Sequence, residues 1–226
     1  MAANPVHGTK VPPASAPSVM NPFTEEELED VYTEAAQINK ALAEVILVLG
    51  WTGLRWSELR ALQPRDVTGG QHPALHVRRA QPEGAPLQPT KTGHARRVPV
   101  ADRVSEIVAT RAGGDGGWLF AGRSGGQLNS SNVRRNVWRQ VSRGRTLREL
   151  RHTAACIWLT RGVDVATVSS WLGHASLTTT HIYVRYLGTR ADAAAVELLS
   201  APVHSRYTEG GDAGTSGRPP GTESGG

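Results

Sequence analysis

The chain has 226 residues, enough for one good core, with 25 Lys and Arg against 20 Asp and Glu and a formal net charge of +5. Its one cysteine, Cys156, excludes an intrachain disulfide and fits a reducing compartment. The longest apolar run, 45–51, falls far short of the roughly 18 residues that a membrane span needs, and the N-terminus has no apolar signal-peptide core. No membrane role is expected, and the basic balance leans toward a polyanionic partner.

In chain order, residues 1–21 are rich in Pro, Ala and Ser and are expected to be disordered. Thr24-Glu25-Glu26-Glu27 reads as a capping box opening a helix, with Leu28, Val31, Tyr32 and Ala35 on one face. A second helix is expected over 41–49 and a short one over 55–62, stopped by Gln63-Pro64. Between 74 and 100 the pattern changes to short β-like pieces, 75–77 and 97–100, broken by prolines and by Thr92-Gly93, which predicts a small antiparallel sheet with exposed edges. Helical periodicity returns over 101–112, 131–142, 149–161, 165–172 and 177–187, with glycines at 113, 144, 162, 173 and 188 where those helices should end. One more short helix is expected over 191–199, then a Gly, Ser, Thr and Pro tail over 201–226, expected to be disordered. The reading is one domain, 22–200, mainly α with a small antiparallel β-sheet. The charge is concentrated, because Arg134, Arg135, Arg139, Arg143, Arg145, Arg148, Arg151 and Arg161 share a stretch whose one acid is Glu149. That density exceeds what solubility needs.

Common site types are absent from the sequence: it has no P-loop, no dinucleotide glycine fingerprint, no His-Glu-x-x-His and no cysteine pair for zinc. No metal or other cofactor is expected. What remains is arginine, lysine, histidine and tyrosine, the groups that metal-free phosphoryl transfer would use as cations, proton donor and oxygen nucleophile. Thr52-Gly53-Leu54-Arg55-Trp56-Ser57-Glu58-Leu59 resembles the first arginine box of the tyrosine recombinase (phage integrase) family. Leu150-Arg151-His152-Thr153-Ala154-Ala155 resembles the second, followed by Leu172-Gly173-His174 and by Thr180-His181-Ile182-Tyr183, which resembles the segment bearing the nucleophile. The spacing agrees, since His174 lies 23 residues after Arg151 and Tyr183 nine after His174. The resemblance covers roughly residues 23–199.

The resemblance implies the family's DNA breaking-rejoining catalytic fold and a role for each matched residue. Arg55 and Arg151 would grip the non-bridging oxygens of the scissile phosphate, where guanidinium forks supply fixed charged donors as negative charge gathers. Tyr183 would attack phosphorus and expel the 5′ hydroxyl, leaving a 3′-phosphotyrosyl link that stores the bond energy without ATP. Tyr186 is the alternative nucleophile. Lys91, the one lysine after Lys40, resembles the hairpin lysine that protonates the leaving oxygen. His174 would hydrogen-bond the phosphate or hold Tyr183, while Glu58 and His152 would orient the arginines. Arg134, Arg135, Arg139, Arg143 and Arg145 are expected to bind DNA.

Two departures from the family pattern stand out. Three residues before Arg151 the family usually has histidine or lysine, and here it is Arg148, which can bind phosphate but cannot act as a base. The family's N-terminal helical clamp domain also has no counterpart among the residues before Phe23, so a fragment lacking that domain is expected. The resemblance therefore implies a site-specific recombinase acting on double-stranded DNA, monomeric in solution and tetrameric on synapsed duplexes, cytoplasmic and nucleoid-associated. The alternative is a truncated, non-catalytic DNA-binding remnant; a type IB topoisomerase activity or a helical transcription regulator are the further readings.

Overall fold

The computed structural model describes residues 20–90, 93–114, 116–188, 196 and 200. Both expected disordered ends lie outside them apart from Met20 and Asn21, as do Lys91 and, apart from Val196, the helix expected over 191–199.

Helix α1 (Glu25–Thr52) opens with the expected capping box: Thr24 Oγ1 accepts the Glu27 amide, and the Glu27 carboxylate accepts the Thr24 amide. Asn39 interrupts it at φ −160° and ψ 101°, and its Oδ1 accepts the Leu42 amide, so the second half is capped afresh. This break divides α1 into two helical segments, in keeping with the two helices read from the sequence. The second half ends at Gly53, whose φ of +61° is left-handed and whose amide bonds Leu49 O. A Cβ there would sit 3.0 Å from both Leu172 and Trp158 side-chain atoms, so the crowding and the left-handed backbone together favour glycine.

After α2 (Trp56–Leu59) and a 3-10 turn at Pro64–Asp66 come the strands β1 (Val67–Thr68), β2 (Ala74–Val77), β3 (Arg79–Ala80), β4 (Gln88–Pro89) and β5 (Arg96–Pro99). They form an antiparallel sheet in the order β1-β2-β5, with Leu75 opposite Val98, and a separate β3-β4 pair. The small β1 and the β3-β4 ribbon are too short to show in sequence periodicity. Helix α3 (Asp102–Ala112) follows, then α4 (Ser130–Val133), which runs through a π-turn at Arg134–Trp138 into α5 (Arg139–Val141).

Helix α6 (Glu149–Thr160) is central to the domain: Leu150, Ala154, Ala155 and Ile157 are buried in the core, and the helix packs on α1. Burying the Leu and Ile side chains here contributes about 1.5–3 kcal/mol each. Helices α7 (Val165–Leu172) and α8 (Leu177–Leu187) close over one side of α6. No described helix is long and apolar enough to cross a membrane.

Candidate active site

The first arginine is set by the end of α1. The left-handed turn at Gly53 reverses the chain, and Arg55 becomes the N-terminal cap of α2. Its amide donates to Glu58 Oε2 at 2.8 Å and its guanidinium to Glu58 Oε1 at 2.7 Å, while the Arg55 side chain stays 30 % exposed. Glu58 is buried, at 1 %.

Arg96 holds that carboxylate from the other side with a two-pronged fork, 2.9 Å to Oε1 and 2.7 Å to Oε2, and its Nε donates to Trp171 O. Burial by itself would raise the Glu58 carboxyl, but the Arg96 hydrogen bonds and charge, joined by Arg55, outweigh it and hold it below the usual carboxylate range.

The second arginine reaches the same place from α6. Arg151 is buried; it donates to Gly53 O at 2.7 Å and to Leu172 O, and lies 4.0 Å from Glu58. The backbone carbonyls that close α1 and α7 therefore aim the guanidinium. Burial first, and the Arg55 charge second, push it down to about 9, which still leaves it protonated at neutral pH. Glycine matters again at Gly173, the left-handed cap of α7 with φ +67°, where a Cβ would lie 2.9 Å from Arg96 Cδ.

His174 follows that turn. Its Nδ1 pairs with Thr180 Oγ1 at 2.9 Å, and its ring lies 11° from parallel to the Tyr183 ring at 6.3 Å. Burial, then the charges of Arg151, Arg55 and Arg96, depress its imidazole to about 4, so it is neutral at physiological pH. Tyr183, on α8, is 1 % exposed, and burial raises its phenol above the ordinary value despite Arg151. Its hydroxyl lies 3.0 Å from His152 Nδ1.

Arg55, Arg148, Arg151, His152, His174 and Tyr183 all line one cavity of about 760 Å³. Side chains that are far apart in sequence thus converge on a basic pocket with a phenol in its wall. Lys91 lies outside the described residues, but its neighbours flank the site: Thr90 lines a groove with Arg55 and Glu58, and His94 lines another with Arg55, Arg96 and His174.

Glu58 pairs with Arg55 and Arg96 and lies 4.0 Å from Arg151. His152 is a correction to the sequence expectation, because its ring touches the Tyr183 hydroxyl rather than an arginine. Tyr186, the alternative nucleophile, is 47 % exposed and lies outside the cavity lining.

The basic run divides. Arg134 lines the cavity, and with Arg139 lines an adjoining groove of about 480 Å³, while Arg135 is exposed and bonds Asn132. Arg143 pairs with Glu34; Arg145 pairs with Glu27, bonds Asn21 O and lies 4.2 Å over the Phe23 ring. Those last two pair with acids of α1, a tertiary contact that a charge count cannot foresee.

Sequence reading missed Arg96 and Thr180. Arg96 had a usable signal: in β5 it shares a face with the fully buried Val98 two positions on, whereas Arg97 faces out. Thr180 is fully buried one helix turn before Tyr183, and nothing in the sequence marks it as the partner of His174.

The model of the phage integrase family matches residues 21–189. Among curated proteins, the chain is 29% identical over 188 residues to the tyrosine recombinase XerC of Mesorhizobium japonicum, covering 76% of this chain and 57% of that protein. It is 30% identical over 173 residues to the tyrosine recombinase XerA of Pyrococcus furiosus, covering 72% and 56%. The chain spans a little over half the length of these curated relatives.

The fold is similar to that of the Tn1549 transposon integrase solved in complex with transposon right end DNA, with TM-score 0.65, 20% identity, and 84% and 69% of the two chains covered. It is also similar to the catalytic domain of bacteriophage HP1 integrase, with TM-score 0.57, 18% identity, and 79% and 95% covered. At these identities the structural likeness establishes the fold, mainly α with a small antiparallel sheet, as expected from the sequence.

Proposed function

The chain belongs to the phage integrase family, and from that premise we propose that it is the catalytic domain of a site-specific recombinase that cuts and rejoins double-stranded DNA through a 3′-phosphotyrosyl link to Tyr183. The observation that carries this reading is the convergence of Arg55, Arg151, His174 and Tyr183 on one basic cavity.

In this reading the scissile phosphate sits between Arg55 and Arg151. Three guanidinium groups surround one carboxylate, Glu58, so the cluster keeps a net charge of +2 to oppose the charge that builds on the non-bridging oxygens. Glu58 keeps the cations from repelling each other apart, and the carbonyls of Gly53 and Leu172 hold Arg151 in place before substrate arrives, so little reorganisation is left for the reaction.

Neutral His174 donates to a phosphate oxygen through the ring nitrogen not engaged by Thr180. Lys91, on the segment between β4 and β5, protonates the departing 5′ oxygen. Arg148, exposed at the start of α6, adds a cation to the pocket, and Arg134, Arg135 and Arg139 bind the flanking backbone. Arg143 and Arg145 are withdrawn from the DNA-binding set because their guanidiniums are occupied by Glu34 and Glu27.

The chemistry calls on protein side chains, with no cofactor. Synapsis of two duplexes calls for a tetramer assembled from monomers, and the substrate places the protein in the cytoplasm at the nucleoid. The XerC and XerA relatives are named as tyrosine recombinases, and the Tn1549 integrase was solved with DNA, which supports the assignment of substrate.

The test is a duplex nicked close to the cleavage point, so that the short 5′ product diffuses away and the covalent complex accumulates. Wild-type protein is expected to give a denaturation-resistant adduct, and Tyr183→Phe to bind the same DNA without one. Adduct formation by Tyr183→Phe would overturn the assignment; DNA binding with no adduct from wild-type protein would mark a non-catalytic remnant instead.

A further inference from the structure

We propose that His152 is a catalytic residue, the base that takes the proton from the Tyr183 hydroxyl as it attacks phosphorus. The inference rests on the reading of Tyr183 as the nucleophile and adds to it a group for which that reading leaves no candidate.

The phenol has to lose its proton somewhere. At 1 % exposure it meets little bulk water, and burial makes its ionisation harder than that of a free tyrosine. Arg148 occupies the position three residues before Arg151 and cannot accept a proton. His174 has its Nδ1 on Thr180. Cys156, one turn beyond His152 on α6, is buried, and burial pushes its thiol up to about 12, so it carries no available thiolate.

His152 alone among the described groups holds the phenol oxygen, with Nδ1 3.0 Å from Oη and the two ring centroids 5.5 Å apart. In the Nε2–H tautomer the Tyr183 hydroxyl donates and the Nδ1 lone pair receives. Every group facing the ring bears on its charge. Burial lowers its proton affinity, Glu149 opposes that, and Arg148 and Arg151 reinforce it, with His174 and Tyr183 on the α7–α8 side. The outcome is a neutral imidazole at physiological pH, ready to accept.

The step balances on these atoms. The Oη–H proton passes to Nδ1 as the Oη–P bond forms, and the P–O5′ bond breaks with its electron pair leaving on O5′, which takes a proton from the general acid. In religation the incoming 5′ hydroxyl gives its proton to the conjugate base of that general acid as the O5′–P bond forms, the P–Oη bond breaks, and the imidazolium returns its proton to Oη.

The experiment measures single-turnover adduct formation on the nicked duplex against pH for wild type, His152→Gln, His152→Ala and Tyr183→Phe, with thermal midpoint and DNA affinity measured for each. Wild type should rise to a plateau as His152 loses its proton, with the rate falling away below the ordinary imidazole value. His152→Gln should lose about 10²-fold at neutral pH and show no plateau, its rate climbing with pH as the phenol itself ionises. His152→Ala should regain rate with added imidazole.

A duplex with sulfur in place of the leaving 5′ oxygen separates base from acid. It relieves the need for a general acid, so it should rescue Lys91→Ala and leave the His152→Gln defect in place. A His152→Gln profile that keeps the wild-type plateau, or rescue of that variant by the sulfur substrate, overturns the inference while Tyr183 stands. An adduct from Tyr183→Phe overturns both.

Discussion

Replacing Arg96 by methionine isolates what the buried carboxylate owes to its fork. Arg96 and Glu58 are 7 % and 1 % exposed, so solvent screens their pairing little. Removing one partner of such a pair costs on the order of 3–5 kcal/mol, because the other is left charged and buried. Glu58 keeps the Arg55 amide and guanidinium, and Arg151 stands 4.0 Å away, which places the expected loss near the lower end, about 3 kcal/mol at pH 7.

The pH dependence follows from the direction of the Glu58 shift. Its folded-state carboxyl is held below the unfolded value, so it contributes stability above that value, and the contribution is lost as pH falls through the folded pKa. Without Arg96, burial raises the folded pKa and the carboxyl protonates at higher pH. The difference between wild type and Arg96→Met should therefore be large at pH 7 and narrow toward pH 3. Urea unfolding at both values measures it, and Arg96→Met/Glu58→Leu should recover much of the stability but not adduct formation. A loss under 1 kcal/mol, or one that does not change with pH, would refute the argument that the fork sustains a buried charge.

Two further outcomes follow from the same geometry. Gly173→Ala forces a left-handed alanine costing about 1–2 kcal/mol and pushes Arg96, so thermal stability and adduct yield should fall together in circular dichroism and gel assays. Arg134→Ala and Arg139→Ala should each lower the slope of log affinity against log salt by about 1, as read by fluorescence anisotropy. Arg143→Ala, paired with Glu34 on the protein itself, should leave that slope unchanged.

Much of the site was legible before any coordinates. The order and spacing of the boxes around Arg55, Arg151, His174 and Tyr183 survive folding as a single cavity, because each box lies at a helix end or on a helix face whose period is written in the sequence. Capping chemistry at Thr24 and glycine at 173 are local signals, and they were readable as such. Arg96 was missed because a strand of four residues offers only one repeat of its two-residue period.

Sequence by itself determined the main element types, the family and the ordered boxes around Arg55, Arg151, His174 and Tyr183, since those depend on periodicity, turn chemistry and spacing along the chain. Tertiary structure alone decided which charges are free and which are consumed. Arg145 and Arg134 look alike in a basic run, yet one closes on Glu27 and the other opens on the cavity. It alone turned His152 toward the phenol, because the packing of α8 on α6 is long-range, and no local rule says which side chain a buried hydroxyl will meet.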